Sequence, residues 1–160
     1  MRMILGIDPG LNTTGYGVIS VSAGRVRLQE AGIVQSPAKA EIPLKVKEIY
    51  DGIREVIAKF SPEVLAMEQL YSHYDRPVTA IQMGHARGCI CLAAAQSEIA
   101  VVSYAATQVK KILTGSGHAA KDQVQRAVRL ELKLAHCPEP PDVADALAVA
   151  ICHVYHGRLG

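Results

Sequence analysis

The stretch MILGID at residues 3–8, followed at once by Pro9-Gly10, decides the fold class of this chain. A short apolar run that ends at a proline and a glycine is typical of a buried strand leading into a turn. Alternating apolar and polar residues predict further strands at 15–22 and 25–35. The chain is therefore expected to begin with consecutive β-strands.

Helices and strands alternate in the rest of the chain. Apolar residues recur at helical spacing from Ile42 to Phe60, and Pro43 suits a first helical turn. Strands are predicted at 64–68 and 99–104, and helices at 77–96, 107–113, 121–135 and 142–156. The order βββαβαβααα indicates an α/β fold with a mixed five-stranded sheet flanked by helices, in a single domain over 1–160.

Composition and hydropathy argue against a disordered chain and against a membrane-spanning protein. The chain has 160 residues, of which 49% are hydrophobic and 20% charged, which is enough apolar surface for one folded core. No apolar run reaches the roughly 18 residues that span a membrane, and no signal-peptide pattern precedes the first strand. We therefore expect a cytoplasmic protein without membrane association. Cys89, Cys91, Cys137 and Cys152 form no CxxC pair and are expected to be reduced.

Four acidic residues lie where predicted strands end or a predicted helix begins. Asp8 and Glu68 end apolar strands, while Asp142 and Asp145 are about one turn apart at the start of the last helix. Each has an ordinary explanation as a turn residue, a solvated strand end or a helix N-terminal acid. Because an open α/β sheet has its ligand crevice at the carboxyl ends of its strands, we predict that they share one cleft.

Carboxylates gathered in one cleft repel one another unless cations lie between them. Oxygen ligands of this kind favour Mg²⁺, for which Mn²⁺ is the natural substitute. Two such ions held about 3.5–4 Å apart can activate a water molecule and stabilise a leaving 3′-oxygen. We therefore predict a site for phosphodiester hydrolysis in which Asp8, Glu68, Asp142 and Asp145 are metal ligands and catalytic residues.

A basic segment occupies residues 107–129, although the net charge of the chain is only +2. Its basic residues are Lys110, Lys111, Lys121, Arg126 and Arg129. If they share a face with the acidic cleft, they contact DNA phosphates; otherwise they form a solvated helix surface.

Several motifs in this chain together resemble the RuvC family of Holliday junction resolvases. They are ILGIDPGLNTTGYGVI (4–19), AMEQLY (66–71), MGHARG (83–88), TGSGHAAKDQVQ (114–125) and PPDVADALAVAICH (140–153). The resemblance covers almost the whole chain. It implies an RNase H-like fold, a homodimer, and metal-dependent paired nicks in four-way DNA junctions that the RuvAB branch-migration complex delivers.

The resemblance also assigns roles to individual residues. It places the family's carboxylates at Asp8, Glu68, Asp142 and Asp145, and its basic residue beside the metal site at Lys121. Tyr71 takes the position of an aromatic residue that stacks on an unpaired base, although a core position would also suit a tyrosine.

The loop after Glu68 departs from the family pattern. Tyr74-Asp75 stand where many members have Lys-Asn. We expect the preferred cleavage sequence to differ accordingly, with Asp75 weakening phosphate contacts that Arg76 partly restores. A smaller departure is His85, which stands where the family commonly has glutamine.

Self-association is predicted for the helix at 78–96, which is apolar on nearly all sides and has small residues at Gly84, Ala86 and Gly88. A four-way junction has approximate two-fold symmetry, so a C₂ dimer would supply matched active sites.

Other classes of protein share parts of this pattern. An actin-like or sugar-kinase-type nucleotide-binding lobe begins with a similar hairpin, but 160 residues leave no room for its second lobe. A non-catalytic junction-binding protein has no use for clustered carboxylates. The residues His136, Cys137, Cys152, His153 and His156 lack the spacing of a zinc finger.

Overall fold

A computed structural model describes residues 1–70 and 76–159 of the chain. Tyr71, Tyr74 and Asp75, to which the sequence assigns roles in DNA recognition, lie outside the described residues.

The described residues form five strands and five helices in the predicted order. They are β1 (Arg2–Asp8), β2 (Thr13–Ser22), β3 (Arg25–Gln35), α1 (Ile42–Phe60), β4 (Val64–Glu68), α2 (Pro77–Gln96), β5 (Ala100–Tyr104), α3 (Ala106–Thr114), α4 (Lys121–Glu131) and α5 (Pro141–Leu159). The strands form one sheet in the order β3-β2-β1-β4-β5. β1 and β3 each pair antiparallel with β2, whereas β1, β4 and β5 are parallel. The mixed five-stranded sheet is confirmed.

Several predicted boundaries differ from the observed ones by up to four residues, and the largest error is at the end of α4. Helix α4 ends at Glu131 rather than at residue 135. Lys133 adopts a left-handed backbone conformation with φ 54°, which interrupts the helical repeat. The N–H of Leu134 then turns back to the carbonyl of Arg129 at 2.9 Å, which closes the helix end.

Both faces of the sheet are covered, which explains why β1 is a continuous apolar run. Successive strand residues point to opposite faces. Ile4 and Ile19 therefore pack against α3, α4 and α5, whereas Leu5, Ile7 and Val18 pack against α1 and α2. The charged end of β1, Asp8, lies just beyond this buried run.

Glycines on β1 and β2 let α5 lie directly on the sheet. A Cβ atom at Gly6 would stand 2.0 Å from the carbonyl oxygen of Ala146, and one at Gly15 would stand 2.3 Å from that of Asp142. Gly17 lies against the same helix. The contacts at Gly6 and Gly15 involve backbone atoms, which cannot rotate away, so they set the height and position of α5 above the strands, whereas Gly17 meets the side chain of Leu147.

The described cysteines are free, as predicted, and Cys152 is buried within α5. A search of residues 1–70 and 76–159 finds no helix that is both long and apolar enough to cross a membrane.

We expect Gly6→Ala to lower the free energy of unfolding by about 2–3 kcal/mol, because the added methyl group overlaps the backbone of α5. The melting temperature should fall by about 5–10 °C. The control is Gly157→Ala in α5, where a Cβ atom meets nothing within 4 Å. Thermal unfolding by circular dichroism should show little change or a slight gain for the control. Equal melting temperatures for the two variants would contradict the close packing.

Candidate active site

The predicted carboxylates come together at one edge of the sheet. Asp8 ends β1 and Glu68 ends β4, and these strands are parallel neighbours, so their carboxyl ends lie side by side. Asp142 and Asp145 lie in the first turns of α5. The contact between Gly15 and the backbone of Asp142 holds that helix start against the same edge. The shared cleft predicted from the sequence is therefore present.

Asp8 is the carboxyl group that this crowding affects most. Burial is the largest cause, followed by the negative charges of Asp145 and Asp142, and together these raise the pKa of Asp8 to about 8. A hydrogen bond with Asp142 and the charge of Glu68 add to the shift. Without a cation, burial and the neighbouring carboxyl groups therefore favour the neutral form of Asp8 near neutral pH.

Lysines offset part of the negative charge on the other side of the cleft. Burial and then the charge of Asp145 raise the pKa of Glu68, while Lys110 and Lys121 lower it. Lys121 Nζ lies 3.4 Å from Asp145 Oδ2. Burial likewise raises the pKa of Asp145, and this ion pair opposes the rise. The cleft therefore contains both crowded carboxyl groups and lysine side chains able to contact a phosphate.

These side chains line a cavity of about 220 Å³. Its polar lining consists of Glu68, Asp145, Lys110 and Lys121, and apolar side chains of α3, α4 and α5 complete the wall. A cavity of this kind juxtaposes oxygen donors for a cation with ammonium groups for an anion.

The donor set fits a hard divalent cation. The candidate ligands Asp8, Glu68, Asp142 and Asp145 are all carboxylates, with no thiolate or imidazole among them. Such a set favours Mg²⁺ or Mn²⁺ over zinc. Burial, and then the negative charges of Asp145 and Asp142, raise the pKa of Asp8, so a cation in the cleft would favour its charged form. Within the described ranges, no three His, Cys, Asp or Glu side chains are placed so that they could hold a metal ion together without moving. The residues thus form an open acidic cluster rather than a finished coordination shell.

The basic residues predicted from the sequence occupy different places. Lys110 and Lys121 line the cleft, and Lys111 is exposed on α3. Arg76 is exposed immediately before α2. The remaining pair is engaged on the surface of α4: Arg126 forms an ion pair with Asp122 at 3.1 Å, and Arg129 donates a hydrogen bond to the carbonyl of Leu134.

Arg87 was not among the predicted site residues, because the MGHARG motif contributed only to the family resemblance and assigned no role to this residue. Its Nη1 atom donates a hydrogen bond of 2.5 Å to the backbone carbonyl of Glu68. The feature of the sequence that could have indicated this contact is a basic residue within an otherwise apolar helix.

Sequence reasoning also missed the side chains that hold the loop after Asp8. Thr14, Ser36 and Lys45 are buried, and each donates a hydrogen bond to an oxygen atom of residues 10–12. The Thr14 and Ser36 bonds measure 2.8 and 2.6 Å. Buried polar groups need such partners, so this loop is fixed to the body of the protein.

A family model described as crossover junction endodeoxyribonuclease RuvC matches residues 4–153. This chain belongs to the RuvC family. The family comprises metal-dependent endonucleases that resolve Holliday junctions, so the predicted enzyme class is confirmed. The nucleotide-binding lobe and the non-catalytic binding protein are not supported.

Individual RuvC proteins match over nearly their full length. The crossover junction endodeoxyribonuclease RuvC of Rhodopirellula baltica is 54% identical over 152 residues, which cover 95% of this chain and 85% of that protein. The structure of T. thermophilus RuvC in complex with Holliday junction substrate has a TM-score of 0.94 at 35% identity, covering 100% of this chain and 97% of that one. The yeast mitochondrial Holliday junction resolvase Ydc2 shares the fold, with a TM-score of 0.68 at 13% identity over 93% of this chain and 76% of that one. The RNase H-like fold is confirmed.

The raised pKa of Asp8 predicts how the stability of the metal-free protein changes with pH. The pKa is about 8 in the folded protein against 3.8 for the free side chain, so folding favours the neutral form. The resulting stabilisation is complete below about pH 4 and is lost as the pH rises through about 8. Relative to Asp8→Asn, the wild-type protein should therefore lose stability progressively over that range.

Thermal unfolding in a chelating buffer from pH 5 to pH 9 measures this difference. The melting temperature of Asp8→Asn should gain about 5 °C or more on that of the wild type as the pH rises. Adding Mg²⁺ at high pH should recover more stability in the wild type than in the variant. A difference that stays constant with pH would show that Asp8 is not held in a crowded site.

Proposed function

We propose that this chain cuts four-way DNA junctions with Asp8, Glu68, Asp142 and Asp145 as ligands of two Mg²⁺ ions, or of Mn²⁺. The main support is the gathering of these side chains at one sheet edge, where crowding and burial raise the pKa of Asp8 to about 8. A cation removes the cause of that shift, because it favours the charged form of each carboxyl group.

When bound, the ions supply a metal-activated water and stabilise the leaving 3′-oxygen. The protein's own side chains perform the remaining roles in cleavage. Asp8 gives up its proton and, with Asp142, presents charged oxygens to the cleft. Lys121 turns from Asp145 to the scissile phosphate and donates hydrogen bonds to its oxygens as negative charge develops there. Cleavage leaves a 5′-phosphate and a 3′-hydroxyl, the ends that a ligase joins.

Binding of the junction is assigned to basic residues around the cleft. Lys110, Lys111, Lys121 and Arg76 contact phosphates, which gives affinity without reading the base sequence. Tyr71, three residues after Glu68, stacks on a base opened beside the crossover. The Tyr74-Asp75 departure alters the preferred cleavage sequence.

Assembly into a homodimer is supported by the outer face of α2. Val78, Ile81 and Leu92 are 65%, 62% and 51% exposed, and their spacing aligns them on one side of the helix. A Cβ atom at Gly84 or Gly88 meets nothing within 4 Å, which leaves room for close approach. A second copy buries this apolar stripe and provides the second nick.

Delivery by RuvAB and a cytoplasmic location remain predictions from the resemblance and the sequence.

We expect Asp8→Asn, Glu68→Gln, Asp142→Asn and Asp145→Asn each to lower junction cleavage in Mg²⁺ by about a thousandfold or more, since each removes a charged metal ligand. Junction binding in Ca²⁺, measured by gel shift, should persist because negative charge facing DNA is removed. Wild-type enzyme should cut in Mg²⁺ or Mn²⁺ and bind without cutting in Ca²⁺.

The matched control is Glu48→Gln on the exposed side of α1, which should cut at the wild-type rate. The proposed site is wrong if two or more of the cleft variants cleave normally, or if exhaustive chelation leaves the rate unchanged.

Replacing an apolar residue of the α2 stripe should separate the protomers. Leu92→Glu places a charge on each side of the proposed interface, so sedimentation at micromolar concentration should show monomers where the wild type shows dimers. Leu130→Glu, at an exposed leucine of α4, should remain dimeric. A wild-type protein that stays monomeric with and without a junction contradicts the assignment.

A further inference from the structure

Arg87 connects helix α2 to the end of the strand that carries Glu68. Its guanidinium Nη1 donates a hydrogen bond of 2.5 Å to the carbonyl oxygen of Glu68, a residue 19 positions earlier in the chain. A guanidinium is charged at every physiological pH, and hydrogen bonds from charged donors are about twice as strong as neutral ones. The contact therefore ties the two elements together through a charge-assisted hydrogen bond.

This hydrogen bond lies at a residue that pairs with a neighbouring strand on one side only. The pairing of β1 with β4 ends at Ile7 and Met67, one residue before Glu68. On the other side, Glu68 still pairs with Tyr104, whose carbonyl accepts the Gln69 N–H at 2.8 Å. Arg87 adds a contact at this last strand residue from outside the sheet.

The other end of the tie is rigid. Ala86 and Ile90, on either side of Arg87 in α2, are completely buried in the core between α2 and the sheet. Arg87 itself is half-buried, so its side chain reaches from a fixed helix toward the edge of the cleft. A helix held in this way can fix the backbone from which the Glu68 carboxylate projects.

We propose that Arg87 is a positioning residue for Glu68, holding the end of β4 so that the carboxylate enters the acidic cleft ready to bind a divalent cation. This rests on the metal-binding role proposed for Glu68. Residues that orient metal ligands typically contribute about 10–100-fold to metal affinity. A purely structural arginine would contribute to stability and leave metal affinity unchanged.

Calorimetric titration of the DNA-free protein with Mn²⁺ tests the proposal. Arg87→Gln should weaken Mn²⁺ binding about tenfold or more and raise the Mg²⁺ concentration for half-maximal cleavage by a similar factor. Arg87→Lys, which keeps a charged donor, should recover part of the loss and serves as the test if the glutamine variant does not fold. Junction binding in Ca²⁺ should change less than twofold.

The matched control is Arg54→Gln, at an exposed arginine of α1, which should bind Mn²⁺ as the wild type does. A double-mutant cycle then isolates the link to Glu68. In a Glu68→Gln background, adding Arg87→Gln should change Mn²⁺ affinity less than twofold, because the ligand that Arg87 positions is already gone.

Each other result overturns the proposal in a distinguishable way. If Glu68→Gln weakens Mn²⁺ binding but Arg87→Gln and Arg87→Lys do not, the metal site stands and Arg87 is only structural. If the effects of the Arg87 and Glu68 substitutions add fully, Arg87 acts elsewhere. If Glu68→Gln binds Mn²⁺ as tightly as the wild type, the metal-binding role of Glu68 fails together with this proposal.

Discussion

The close approach of α5 to β1 and β2 is the constraint on which the rest of the molecule depends. It is possible because Gly6, Gly15 and Gly17 present no side chain to the helix. The helix backbone therefore rests on the strand backbone, and Asp142 is carried to the strand end where Asp8 lies. Any larger residue at these positions would move the helix start away from the sheet edge, so the same glycines set both the packing and the site.

This packing makes the site electrostatically unfavourable when no cation is present. Burial and neighbouring carboxylates raise the pKa of Asp8 to about 8, and those of Glu68 and Asp145 also rise. The fold tolerates this crowding because its apolar layers cover both faces of the sheet and the loop after Asp8 is held by buried side chains. Packing elsewhere in the fold thus compensates for the unfavourable burial and repulsion of these carboxyl groups.

Helix α2 joins two parts of the proposed mechanism. One side packs in the core through residues such as Ala86 and Ile90, and the outer side presents the apolar stripe assigned to the dimer. From this helix, the side chain of Arg87 donates a hydrogen bond to the backbone carbonyl of Glu68. In the proposed dimer, the element at the interface is thus also in direct contact with the strand end that carries a metal ligand.

The element order, the mixed sheet and the gathering of Asp8, Glu68, Asp142 and Asp145 were predictable from the sequence, because apolar periodicity and strand-end carboxylates are local signals. Resemblance supplied the RuvC family and its reaction. The early end of α4 was not predictable, since it depends on the left-handed backbone at Lys133. Only the tertiary structure showed what Arg87 binds and how the glycines seat α5, because both depend on contacts between residues that are distant in the chain.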